Sequence, residues 1–197
     1  FQMFPTEKEI EPKIELVPPR IQFSNGEKTA FVQLAPDLLV VNQLKPYPGW
    51  DNLNLLIRKN FKTYIEIAKP KGLKRIGLRY INVFEFTSQN LGSEEYFNYY
   101  PSIPKNMTNL LNSFLIKTEF LYNNKKENLT LQLGSIIPSK PDVSSIVLDI
   151  EYATISTEHV TFNNIEEWIE KAHEEIEISF ETVIKDNIRE LFMKGEE

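Results

Sequence analysis

The stretch from Leu73 to Phe86 most constrains the fold, because it is the longest run in this chain with the character of a β-strand. It is rich in aromatic and β-branched residues, which favour extended structure. Successive side chains of a strand point to opposite faces, so one face of this run is largely apolar and the other carries charge at both ends. Arg79 and Asn82 are polar residues in a strand that otherwise has the composition of a core.

Shorter runs of the same kind flank this strand, separated by turn-forming residues such as Asn25-Gly26. Two further segments show apolar residues at the spacing of one helical face. The predicted strands lie near residues 20–23, 29–35, 38–45, 73–86, 114–122, 128–137 and 145–153, and the predicted helices near 50–69 and 164–194.

This order of elements predicts an α+β fold. We expect a mostly antiparallel sheet of about seven strands in two meanders, each followed by a helix, with the long C-terminal helix gripped by a curved sheet. The repeated order suggests an architectural duplication. Residues 1–19, rich in Pro, Glu and Lys, are predicted to form an extended arm or linker. Residues 20–197 should form a single domain, with halves at about 20–72 and 73–197.

One face of the C-terminal helix should be buried against the sheet. Its apolar residues recur every three or four positions, and glutamates occupy the opposite face, which we interpret as solvated. The residues expected to be buried are Trp168, Ile169, Ile176, Phe180 and Ile184.

The composition argues against several classes of protein. A net charge of −6 disfavours broad, non-specific binding to nucleic acid. The absence of cysteine excludes disulfides and thiolate metal sites. No apolar run approaches the ~20 residues needed to cross a bilayer, and the first residues do not have the pattern of a signal peptide. We therefore expect a cytoplasmic protein without membrane contact and, since residue 1 is not Met, further residues before it.

No catalytic or cofactor motif is recognisable. The seven glycines form neither of the common phosphate-binding patterns, and no serine lies in a G-x-S-x-G context. His159 and His173 lie in a predicted loop and a predicted helix, at a spacing that is not typical of zinc sites. We expect no catalytic residue, no cofactor and no metal.

Arg79, Asn82 and Asp149 are the candidate ligand-binding residues. An arginine inside an apolar strand needs an acceptor, because an unpaired buried charge is very costly. The acceptor is either an internal carboxylate, with Asp149 and Glu119 the best candidates, or an anionic ligand, since the guanidinium fork suits both. We expect an enclosed internal ion pair, and a ligand site is the alternative.

The aromatic segment, residues 96–100, is a candidate interaction surface. Tyrosine is favoured at protein interfaces, but a cluster of aromatic rings also packs well in a core. From the sequence the two interpretations are evenly balanced. The candidate residues are Tyr96, Phe97, Tyr99 and Tyr100.

A family resemblance rests on Arg75-Ile76-Gly77-Leu78-Arg79-Tyr80-Ile81-Asn82, preceded by Tyr47-Pro48-Gly49-Trp50. These stretches resemble a sporadically distributed family of prokaryotic proteins of unknown function, and the Leu-Arg-Tyr-Ile-Asn core is the specific part. Val147-Leu148-Asp149-Ile150 and the final helix are similar as well. The resemblance supports the α+β fold and implies no established activity, substrate or catalytic residue.

Two function classes remain open. The first is a non-enzymatic protein-interaction module that uses the sheet, the aromatic segment or the long helix against a protein partner or another copy of the chain. The second is a small-molecule or anion-binding protein, or an enzyme derived from one, with a cavity between helix and sheet. A filled core favours the first, and a pocket with convergent polar groups favours the second. We expect the first.

Overall fold

A computed structural model describes residues 19–86, 93–107, 109, 111–138, 140 and 143–194. The predicted arm, residues 1–19, lies outside this part of the chain except for Pro19. The chain divides into two compact units, with the boundary between Pro70 and Lys71. The described residues form seven antiparallel strands with helices, which confirms the α+β class. The strands are divided between a three-stranded and a four-stranded sheet, and the single domain stays a prediction.

The first unit is a three-stranded meander followed by a helix. In its first turn, the side-chain oxygen of Asn25 accepts hydrogen bonds from the backbone N–H groups of Thr29 and Ala30, at 2.9 and 3.1 Å. The helix contacts the third strand and ends where Lys69 adopts a left-handed conformation ahead of Pro70. The elements are β1 (Ile21–Ser24), β2 (Ala30–Ala35), β3 (Leu38–Gln43) and α1 (Trp50–Ala68).

The second unit contains the four-stranded sheet. Its last three strands form the predicted meander, while its first strand pairs with the last one, so the spatial order is first, fourth, third, second. The last strand is an inner strand, and its large apolar residues Ile146, Leu148, Ile150 and Tyr152 share one face, while Asp149 and Glu151 lie on the other. The strands are β4 (Gly77–Phe86), β5 (Leu115–Tyr122), β6 (Glu127–Ile136) and β7 (Ser144–Thr154).

The C-terminal helix is broken, so the prediction of one continuous helix over 164–194 is wrong. Helix α2 (Ile165–Val183) is followed by Ile184 in extended conformation and then by α3 (Asp186–Lys194). The break pairs with the aromatic segment: the N–H of Asn98 donates to the carbonyl of Val183 at 2.7 Å, and the N–H of Lys185 donates to the carbonyl of Tyr96 at 2.8 Å. Backbone groups that would continue the helix are therefore satisfied by another strand-like segment.

Helix α2 lies on one face of the four-stranded sheet, where it packs on β7 and β4. Four of the five residues expected to be buried on the helical face are buried, with Ile176 3% and Ile184 2% exposed. Phe180 is only half-buried. The sheet contributes buried side chains from three strands: Leu78, Phe84, Leu129, Leu131, Leu133, Leu148, Ile150 and Tyr152.

Candidate functional site

The face of the four-stranded sheet away from α2 carries Arg79 and Asp149. In the register of β4 and β7, Arg79 lies opposite Glu151 and Asp149 lies opposite Ile81. The two side chains meet diagonally: Nε of Arg79 donates to Oδ1 of Asp149 at 2.7 Å, and Nη2 of Arg79 donates to Oδ2. The prediction that Arg79 pairs with an internal carboxylate is confirmed, and its partner is Asp149 rather than Glu119.

This ion pair is not enclosed, which corrects the sequence-based expectation. The Arg79 side chain is 54% exposed and that of Asp149 is 13% exposed. Alternate residues of β4 supply the core, so Arg79 shares the solvent-facing side of the strand. The hydrogen bond to Asp149 raises the pKa of Arg79. Arg75 binds Glu151 beside it, at 2.7 Å, so a ligand anion at either arginine would compete with a carboxylate already in place.

Asn82 lies on the opposite face of β4 from Arg79 and Asp149. It is half-buried and faces Leu148 across the β4–β7 pair. Because side chains alternate along a strand, residues 79 and 82 cannot contribute to one site on one face. The three candidate ligand-binding residues are therefore not brought together.

The aromatic segment packs against its own unit. Phe97 is 1% exposed, and its ring meets that of Phe84 edge-on, with centroids 5.4 Å apart. Phe97 is therefore excluded as a surface residue, which corrects its place among the interaction candidates. The other candidates are half-buried and each touches a neighbour: Tyr96 packs on Phe86, Tyr100 on Phe114, and the hydroxyl of Tyr99 donates to Oγ1 of Thr118.

A buried carboxylate lies at the start of β6, where the sequence pattern contains no sign of it. Glu127 is 1% exposed, and four donors surround it. Its Oε1 accepts from Nε2 of His159 at 2.6 Å and from Nε1 of Trp168 at 2.8 Å. Its Oε2 accepts from the hydroxyl of Tyr152 at 2.6 Å and from Nζ of Lys171 at 2.8 Å. We call these five side chains the Glu127 cluster.

The Glu127 cluster favours a structural role over acid–base catalysis. Burial raises the pKa of Glu127, but the hydrogen bonds, with Lys171 the strongest, outweigh burial and lower the pKa to about 2. The carboxylate is therefore a weak base, and both its oxygens are already occupied. The other ring nitrogen of His159, Nδ1, is buried and has no hydrogen-bond partner in the described part of the chain. The cluster ties β6 and β7 to α2 and to the segment before it.

Two surface depressions among the described residues of the second unit do not have the character of a ligand pocket. Their volumes are about 440 and 480 Å³, and they lie beside the Glu127 cluster and beside the break after α2. Both are lined mainly by charged and amide side chains, whereas small-molecule sites are mostly apolar. None of Arg79, Asn82 and Asp149 lines either depression.

The described residues hold no group of three or more His, Asp or Glu side chains placed to bind a metal ion. Within the same part of the chain, no helix is long and apolar enough to cross a membrane.

Strand β5 is the most exposed apolar element of the four-stranded sheet. It lies at the end of the strand order and, among the described residues, pairs only with β6. Leu115, Phe120 and Leu121 are 68%, 48% and 58% exposed. Between them, Lys117 binds Glu119 at 2.8 Å, with both side chains about half exposed. The alternation of residues predicts this strand, but a sequence pattern does not indicate which strand lies at an edge.

Comparisons with known proteins do not indicate a function for this chain. The resemblance to a prokaryotic family stays a prediction. No protein-family model, no curated protein and no solved structure matches the chain.

Proposed function

We propose that this protein is a cytoplasmic, non-enzymatic protein-interaction module and that β5 is its contact strand. The observation that carries this proposal is the exposure of apolar side chains on both faces of β5. Leu115 and Leu121 point to one face of the sheet and Phe120 to the other, and all three are about half exposed or more. Contiguous apolar surface that is left uncovered is one mark of a protein contact site.

The filled core supports an interaction module over a small-molecule binder. Side chains occupy the space between α2 and the sheet, where Leu133, Leu148 and Ile150 have no exposed surface. A ligand cavity between helix and sheet would require some of these residues to be missing or smaller. The ion pair of Arg79 and Asp149 lies on the far side of the sheet and does not open into that core.

The occupant of β5 is an extended segment of a protein. An edge strand offers a row of backbone donors and acceptors, and a strand added alongside it satisfies them. Such a segment needs apolar residues opposite Leu115 and Leu121. It also needs charged residues of opposite sign opposite Lys117 and Glu119. Backbone pairing then supplies affinity, and the side chains supply register and specificity.

Site-specific photo-crosslinking in cells tests the proposal. A photoreactive amino acid replaces Leu121 in the full chain, and the matched control carries it in place of Ile178, which is 62% exposed on α2 of the same unit. We expect a discrete protein adduct from position 121 and none from position 178, with the adduct identified by mass spectrometry. No adduct from position 121, or equal adducts from both positions, would contradict the proposed function.

A further inference from the structure

We propose that the partner strand is β5 of a second copy of this chain, so that two copies pair edge to edge in a symmetric dimer. This inference rests on the proposed function, because it names the partner of the same strand. It follows from the order of residues in β5: positions at equal distances on either side of one residue are chemically complementary. Such an order favours pairing of the strand with a second copy of itself.

The symmetry is centred on Thr118. An antiparallel pair of two β5 strands with a two-fold axis at this residue places each position opposite its mirror position. Aliphatic and aromatic side chains, and opposite charges, meet in such a pair, and cross-strand pairs of these kinds stabilise sheets. The facing residues are Leu115 with Leu121 of the second copy, Ile116 with Phe120, Lys117 with Glu119, and Thr118 with Thr118.

The two charges also favour this register over the two registers in which the strands are shifted and the two-fold axis lies at residue 117 or 119. With the two-fold axis at Lys117, two lysines would lie directly opposite each other. With the axis at Glu119, two glutamates would do so. Like charges directly opposite destabilise a strand pair, so Lys117 and Glu119 act against both slipped registers. In the isolated chain the same two side chains bind each other, at 2.8 Å, and can exchange this contact for two contacts across the dimer.

The exposed apolar side chains fit this partner on both faces. Leu115 and Leu121 share a face with the charges, and Phe120 lies on the other face. Each of them gains an apolar neighbour from the second copy. Because each copy uses its β5 strand in the same way, the contact is self-complementary and closes after two chains. The result is a continuous sheet of eight strands.

The other edge strand, β4, is a weaker candidate for the same contact. Its apolar residues on the helix side, including Leu78 and Phe84, are already buried. Its exposed apolar residues, Ile81 and Val83, lie on one face only. Arg79 lies on the same face, nearer the start of the strand, and donates a hydrogen bond to Asp149. Pairing through β4 would therefore cover apolar surface on one face only.

Charge reversal across the dimer tests the inference. In solutions of the purified full chain, sedimentation equilibrium measures self-association of the wild type, Lys117→Glu and Glu119→Lys. We expect each single variant to dimerise at least roughly tenfold more weakly than the wild type, because like charges then face each other. An equimolar mixture of the two variants should recover association, since positions 117 and 119 of facing chains then carry opposite charges again. Glu66→Lys, an exposed reversal on α1, is the control and should dimerise like the wild type.

The mixture separates the dimer from any effect inside one chain. Both single variants lose the internal contact of residues 117 and 119, and mixing cannot restore it. The double variant Lys117→Glu, Glu119→Lys should also dimerise, which provides a second check on folding. A wild type that is monomeric at about 300 µM overturns the inference. Equal dimerisation of the wild type and the two single charge-reversal variants overturns it as well. If position 121 then cross-links to a different protein, the proposed function stands without the dimer. If it cross-links to nothing, both fail.

Discussion

Glu127 makes the stability of the second unit sensitive to acid. Its carboxylate has a pKa of about 2 in the folded chain, against an ordinary value of 4.5. A lowered pKa stabilises the folded state when the group is ionised, so the contribution is present above pH 4.5 and is lost as the pH falls toward 2. Replacing Glu127 with glutamine keeps the shape of the side chain and removes this titration.

The magnitude follows from linkage. One pKa unit corresponds to about 1.36 kcal/mol, so lowering the pKa from 4.5 to about 2 stabilises the folded chain by about 3 kcal/mol at neutral pH. The conversion is appropriate because Glu127 is 1% exposed and solvent screens it little. Removing one member of a buried charged pair costs ~3–5 kcal/mol, which agrees. Glu127→Gln should therefore lower the free energy of unfolding by about 3 kcal/mol at pH 7 and by little near pH 2.

Urea unfolding at a series of pH values, followed by circular dichroism, measures this difference. The wild type and Glu127→Gln should converge as the pH falls, whereas the control Glu158→Gln, an exposed carboxylate next to His159, should run parallel to the wild type. Two parallel profiles for the wild type and Glu127→Gln would refute the reasoning. That result would mean that Glu127 is no more stable as a carboxylate in the folded chain than in the unfolded one.

Three further substitutions test the packing and the open face. Arg79→Ala should lower the free energy of unfolding by only ~0.2–1 kcal/mol, because its ion pair is exposed. A double-mutant cycle with Asp149 should give a coupling energy of the same size. A loss of several kcal/mol would contradict the exposed geometry. Phe97→Ala should cost ~3–5 kcal/mol in chemical denaturation, because the ring is enclosed, and a neutral result would restore it as a surface residue. Ile176→Ala should lower the free energy of unfolding by ~2–5 kcal/mol in the same measurement. Ile178 is exposed on the same helix, so Ile178→Ala should change this free energy by no more than ~0.5 kcal/mol. Equal effects would mean that the buried face of α2 has been identified wrongly.

The strands and helices were predictable because their signal is local. Alternating apolar residues set the bounds of β4 to within a few residues, and the Asn25-Gly26 turn set the first hairpin. The break at Ile184 was not predictable. The apolar spacing continues through Val183, Ile184 and Ile188, and no proline or glycine marks the site. The break depends on hydrogen bonds to a segment some 85 residues away, which local patterns do not contain.

The site was less predictable than the fold. The pairing of Arg79 with Asp149 could be inferred, because a charge in an apolar strand needs a partner. Its exposure could not, since that depends on which face of β4 the helix covers. Glu127 follows a turn and has the appearance of a solvated residue. Its donors come from β7, α2 and the segment before α2, so only the folded chain brings them together.

The pairing of β4 with β7 has a consequence for how this chain is made. Strand β4 ends at Phe86 and β7 begins at Ser144, so β4 emerges from the ribosome before its only partner in the described sheet exists. At roughly 5–20 residues per second, synthesis of the intervening residues takes about 3–12 s. During that interval the edge of β4 that pairs with β7 has no partner strand, and α2, which packs on β4, has not yet been made. Between the completion of β4 and the appearance of β7, the nascent chain therefore presents an unpaired strand edge, which is prone to aggregation.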